Sequence, residues 1–156
     1  MKASANHMQR CIELARIARQ KGDAPVGALI VRSGQVIAEG VESVKAQMDI
    51  TAHAEIVAIR IACQTLESLD LGACILYTTA EPCWMCSYAI RATGIREVVI
   101  GAPVPEVGGV TSRHAVLSDP QVSRWPAPPR TVWSKLRVAS EVRRQQIEAG
   151  GIGEEK

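Results

Sequence analysis

The chain has no phenylalanine, and its aromatic residues, three Trp and two Tyr, make up 3% of 156 residues. Any stacking on a base must therefore come from those few rings. Charge of either sign is not in excess either: 18 basic residues face 16 acidic ones, for a formal net charge of +2. Such a chain carries no strong field and has no call for a nucleic-acid partner. Long hydrophobic runs are missing, since no segment approaches the roughly 20 apolar residues that span a bilayer. The start, Met1-Lys-Ala-Ser-Ala-Asn-His7, lacks the apolar stretch of a signal peptide. These absences point to a cytoplasmic protein without membrane attachment. Five cysteines, two of them in a C-x-x-C, are an odd set for a disulfide framework and favour metal or redox chemistry. What remains is ordinary globular composition, 47% hydrophobic and 22% charged. The length suits one domain, residues 1–156, with a core of its own.

Periodicity divides the chain into alternating elements. Met8, Ile12, Ala15 and Ile17 recur at helical spacing, which predicts a helix over 4–21 with Ser4 as N-cap and Gly22 as stop. Residues 26–40 read as a hairpin turning at Ser33-Gly34. A polar loop over 41–52 leads to a helix over 53–67 capped by Thr51. A strand over 74–79, a helix over 83–93 ended by Gly94, and a strand over 97–101 follow. Two successive strand–helix–strand units predict parallel pairing with helices on both faces of the sheet. The last third reads as a Pro- and Gly-rich loop, a short helix over 111–117, a fifth strand over 131–136 and a helix over 138–148. Residues 150–156 read as a frayed tail.

The chemistry concentrates in two stretches, Thr51-Ala-His-Ala-Glu55 and Glu81-Pro-Cys-Trp-Met-Cys86. His53, Cys83 and Cys86 supply an imidazole and two thiols, the ligand types that suit zinc. Three protein ligands leave the fourth tetrahedral position open, as a catalytic zinc requires. Cys83 and Cys86 are three apart at a helix start, so both sulfurs project from one face of its first turn. The positive end of that helix and the metal both favour thiolate over thiol. Positions 53 and 55 would not face together in a regular helix, so spacing alone does not bring Glu55 to the metal.

His53-Ala-Glu55 with Pro82-Cys-Trp-Met-Cys86 matches the H-x-E…P-C-x-x-C pattern of zinc nucleobase deaminases. With Pro25-Val-Gly-Ala28 and Leu76-Tyr-Thr-Thr-Ala-Glu-Pro-Cys83, the chain resembles the cytidine deaminase superfamily, in the branch of guanine deaminases and tRNA adenosine deaminases. The segment from Ala58-Ile-Arg-Ile-Ala-Cys63 through Cys74-Ile-Leu-Tyr77 looks nearest to guanine deaminases. The resemblance implies an α/β fold, a three-layer α/β/α sandwich around a five-stranded mixed sheet, usually as a homodimer. It implies one zinc per subunit on His53, Cys83 and Cys86. Glu55 is then the catalytic residue, moving protons between water, a ring nitrogen and departing ammonia. Glu42, Val26, Ala54 and Trp84 are expected around the base.

One departure concerns Glu42, where the branch usually carries an asparagine that hydrogen-bonds the base. An ionised Glu has two acceptors and no donor, so it would pair with a donor–donor edge such as guanine presents. The alternative is a solvent-facing Glu42. Three functions stand against one another. The first is deamination of a small heterocyclic base, guanine before cytosine. The second is a tRNA adenosine deaminase, with Lys135, Arg137, Arg143 and Arg144 meeting phosphates. The third is a zinc-binding module without activity, against which Glu55 and the open position speak. Glu81 reads as structural, and Trp84 as a wall of the site or a subunit contact. Trp125 and Trp133 read as core more than closure of the site. His7 and His114 read as surface residues, and Cys11, Cys63 and Cys74 as core.

Overall fold

The computed structural model describes residues 2–136 and residue 138. Helix α1 (Lys2–Gln20) precedes strands β1 (Gly27–Arg32) and β2 (Gln35–Val41), then a one-turn helix α2 (Val44–Gln47) and helix α3 (Ala54–Leu66). Strand β3 (Cys74–Ala80), helix α4 (Trp84–Thr93) and strands β4 (Glu97–Ala102) and β5 (Arg130–Trp133) complete the described elements. The five strands form one mixed sheet in the order β2-β1-β3-β4-β5.

Parallel pairing holds for the second strand–helix–strand unit and not for the first. Strand β3 pairs with β4, and β4 with β5, in parallel, whereas β1 runs antiparallel to both β2 and β3. The cause is the hairpin. Ser33 and Gly34 both take positive φ, 51° and 77°, a primed two-residue turn whose twist matches the flanking strands. That turn commits one edge of β1 to β2 and leaves the other for β3. Strands β2 and β3 therefore point the same way with β1 between them, and α3 crosses over β1 on its way.

Period-2 alternation splits the core between the two faces. Ala28, Ile30, Leu76, Val98 and Ile100 pack with Ala54, Ala58, Ala62 and Ile90 from α3 and α4. Leu29, Val31, Tyr77 and Val99 pack with Met8, Cys11 and Ile12 from α1. The result is the expected α/β/α layering. His7, expected at the surface, is half-buried on α1, with its ring edge-to-face against Tyr77 at 5.0 Å.

Other boundaries move for local reasons. His53, not Thr51, is the N-cap of α3, and α1 already runs through Ser4. The 41–52 segment is not wholly loop, because Asp23 accepts the N–H groups of Lys45 and Ala46 at 2.7 and 3.0 Å and caps the turn of α2. Residues 111–117 form turns rather than a helix: the Leu117 N–H reaches back to Gly109 O at 2.9 Å and the Val116 N–H to His114 O at 2.8 Å, not to the carbonyls one helical turn before them. Strand β5 ends at Trp133 and not at 136, where Ser134 Oγ accepts the Leu136 N–H in a turn. The expected C-terminal helix and tail lie outside the described residues, apart from Val138, which is buried over Gly101.

Candidate active site

Both metal-binding stretches sit where a helix begins. His53 and Cys83 are the N-cap residues of α3 and α4, with extended backbones (φ/ψ −65/148° and −68/176°). An N-cap side chain normally turns back to bond the first turn, and neither of these does. They turn to each other instead. His53 Nδ1 lies 3.5 Å from Cys83 Sγ and 3.6 Å from Cys86 Sγ, and the three ligand atoms fall within 4.8 Å of one another. Zinc bonds of about 2.3 Å to sulfur and about 2.0–2.1 Å to nitrogen, at a tetrahedral angle, separate S and N by about 3.5–3.6 Å. The donor set therefore fits one zinc ion per subunit in both chemistry and spacing.

The extended backbone at His53 also explains Glu55. Because residue 53 lies outside the helix, 53 and 55 are not related by helical rotation, and both side chains converge. Glu55 Oε2 accepts from Cys86 Sγ at 3.5 Å, and Oε1 accepts from Thr78 Oγ1 at 3.0 Å. Glu55 is 3% exposed, and burial raises its carboxyl against the opposing Thr78 hydrogen bond. The thiols divide the charge. Cys83 is drawn down to about 4, first by its hydrogen bond with Cys86, against burial and with help from His53. Cys86 is pushed upward by that same hydrogen bond and by burial, because two adjacent thiolates repel until a cation lies between them. His53 is raised to about 9, chiefly by its contact with Cys83.

Three of the residues expected around a base are joined by hydrogen bonds. The Glu42 N–H donates to Val26 O at 3.1 Å, and Glu42 Oε2 accepts the Ala54 N–H at 2.8 Å. The close approach of β2 to the start of α3 requires Gly40, where a Cβ would strike the Ala54 carbonyl. Glu42 is buried, not solvent-facing. Burial pushes its carboxyl up to about 7, the Ala54 N–H opposes, and the charge of Glu55 adds to the rise. Trp84 is on the outer side of α4, 39% exposed, donating to Ser112 Oγ at 3.0 Å and meeting the exposed His114 edge-to-face at 5.4 Å. Trp125 packs on Tyr88 and under Arg91, and Trp133 is half-exposed on β5 beside Ser4 and Ala5.

Three supporting residues, Thr78, Asp23 and Arg91, carried no role in the sequence reading, and a fourth, Glu81, was read as structural. Thr78 orients Glu55, and Asp23 holds the segment after Glu42. Buried Glu81 accepts from Val104, Val110 and Thr111 N–H and from Thr111 Oγ1, strapping 104–111 to the start of α4. Gly108 lies so close to that carboxylate that a Cβ would overlap it. Arg91 donates to the carbonyls of Val116, Leu117, Asp119 and Pro126. The signal for Thr78 was a hydroxyl pair in an otherwise apolar strand. Asp23 and Arg91 act through backbone partners that leave no sequence pattern.

The three ligand atoms at two helix starts can hold a zinc ion, and the buried carboxylate beside them can handle the protons of a water activated there. The chain belongs to the family defined by the cytidine and deoxycytidylate deaminase zinc-binding region, which matches residues 1–102. It is 41% identical over 130 residues to a tRNA-specific adenosine deaminase of Aquifex aeolicus, covering 82% of this chain and 83% of that one. Over 66 residues, 42% of each chain, it is 54% identical to guanine deaminase of Bacillus subtilis. A structure solved in a study of A-to-I editing by tRNA:A34 deaminases superposes with a TM-score of 0.77 at 35% identity, over 84% of this chain and 98% of that one.

Proposed function

We propose that the protein hydrolyses the exocyclic amino group of a small free heterocyclic base, guanine being the first candidate. The observation that carries deamination is the convergence of Glu55 on the three-ligand cluster, 3.5 Å from Cys86 Sγ. Zinc held there supplies a Lewis acid that makes water nucleophilic near neutral pH. Glu55 Oε2 takes a proton from the attacking water while Thr78 fixes Oε1. A carboxyl raised by burial keeps that proton long enough to pass it to a ring nitrogen and then to the leaving amine. The balance is water plus an amino-bearing ring carbon giving a carbonyl and ammonia.

The free-base reading draws support from the net charge of +2 and from the 54% identity to a guanine deaminase over 66 residues. The second reading, deamination of a tRNA wobble adenosine, is favoured by the longer 130-residue match to the Aquifex relative. The protein works as a homodimer in the cytoplasm. Half-exposed Trp84 and exposed Tyr88, one turn apart on α4, support the first point, and five unpaired cysteines with thiolate ligands support the second. Among the described residues no helix is long and apolar enough to cross a membrane.

Ammonia release by zinc-loaded protein tests the reading on guanine, cytosine, adenine, their nucleosides and an anticodon stem-loop. Turnover of a free base is the expected result, and turnover of the stem-loop alone replaces it with the second reading. Sedimentation at micromolar concentration is expected to give twice the chain mass.

A further inference from the structure

The Glu42 carboxylate is fixed beside a metal ligand. Its Oε2 accepts the N–H of Ala54, the residue that follows His53, at 2.8 Å. Its own N–H is held by Val26 O, and the residue is 7% exposed. Oε1 has no hydrogen-bond partner among the described residues, yet it is not among the unpaired side-chain atoms sealed from solvent. No basic side chain forms an ion pair with it among the described residues. This oxygen is therefore an open acceptor that a donor entering the site can meet.

An ionised carboxylate only accepts. With Oε2 engaged by the Ala54 N–H, Oε1 is the oxygen that Glu42 has free to accept. A ring nitrogen carrying a lone pair is repelled there. Free guanine offers donors apart from its amino group, at N1 and on the imidazole ring. Adenine within a polynucleotide offers none, since its remaining ring nitrogens are acceptors or bonded to ribose, and its only donor is the departing amine.

We propose that Glu42 selects the substrate by accepting one hydrogen bond from a ring N–H distinct from the leaving amino group. This rests on the free-base reading above and narrows it to bases that keep such an N–H. It sets the polynucleotide adenosine at a disadvantage at this position.

The test is equilibrium binding at pH 8.5 to zinc-loaded Glu55→Ala protein, with and without Glu42→Gln. Glutamine keeps an acceptor for Ala54 and presents a donor where the carboxylate presented an acceptor. The ligands are guanine and its 1-, 7- and 9-methyl derivatives. Glu42→Gln is expected to weaken guanine by about tenfold to a hundredfold. Methylation at the nitrogen that is read is expected to cost a similar factor with Glu at position 42 and much less with Gln. Guanine affinity left within twofold by Glu42→Gln overturns the proposal, as does a methyl series with the same losses in both backgrounds. Zinc content and the melting midpoint show whether the Gln protein is folded. Should it not be, the series on the Glu42 protein decides alone, and a flat series overturns the proposal. Failure of every free base to bind, with the stem-loop bound instead, overturns the functional reading itself and this proposal with it. Guanine bound equally well by both proteins removes the proposal only.

Discussion

Glu42, before α3, and Glu81, before α4, are buried to a similar depth at the starts of the two metal-binding helices, 7% and 3% exposed. Their ionisation moves in opposite directions. Glu81 also feels burial, but the Thr111 hydroxyl and three backbone N–H groups outweigh it and hold its carboxyl below the usual range. Glu42 has a single donor, Ala54 N–H, and burial carries it up to about 7. Donors, not depth, decide whether a buried acid is a settled strut or a group with capacity to spare. Glu55 lies between them, with one hydroxyl, one thiol and a raised carboxyl.

The largest effect separates Glu55 from the strut. Glu55→Ala is expected to lower ammonia release by about 10²- to 10⁴-fold while bound zinc stays at one per chain. Zinc loss on this substitution would mean that Glu55 holds the site together instead of moving protons. Next comes Glu81→Gln, which keeps the shape but turns an amino group toward donors that need an acceptor. It is expected to cost about 2–4 kcal/mol in denaturant unfolding, and a cost under about 0.5 kcal/mol would show that the strap is not needed.

Acidity sharpens the contrast further. Because folding raises the Glu42 carboxyl from 4.5 to about 7, the folded chain binds its proton more tightly than the unfolded chain does. The resulting penalty is absent below 4.5, grows between 4.5 and about 7, and is complete above. Glu42→Gln should therefore stabilise the protein at pH 8 by about 1–3 kcal/mol and leave it unchanged near pH 4. A gain of equal size at both pH values would assign the effect to packing. The smallest effect is the control. Arg10 pairs with Glu39 and Glu13 on an open surface, with side chains 40–48% exposed, and Arg10→Ala is expected to change stability by less than about 1 kcal/mol.

The metal ligands were legible because zinc chemistry restricts residue type and spacing together, and a C-x-x-C after proline leaves little else to be. Helices α1, α3 and α4 and all five strands were legible from period, with ends misplaced by a few residues. Glu55 became legible only through resemblance. A helical wheel starting at His53 separates the two side chains, and the extended N-cap that reunites them is a backbone fact. The 111–117 segment misread for a related reason. Its helical pattern is real, but the Leu117 N–H is drawn to Gly109 O, eight residues back, where the chain folds over the start of α4, and not to a carbonyl one turn before it.

By itself, then, the sequence determined the donor set, the alternation of strands and helices, and the class of chemistry, all local properties written in residue type and short spacing. The tertiary structure decided that β1 lies between β2 and β3, that Asp23, Thr78 and Arg91 support the site, and that one oxygen of Glu42 is already engaged. Those depend on which backbone N–H reaches which buried acceptor across 12 to 30 residues of chain, as Glu42 to Ala54 and Glu81 to Thr111 show. No periodicity encodes such a meeting. It is fixed when the sheet order brings the two segments into contact.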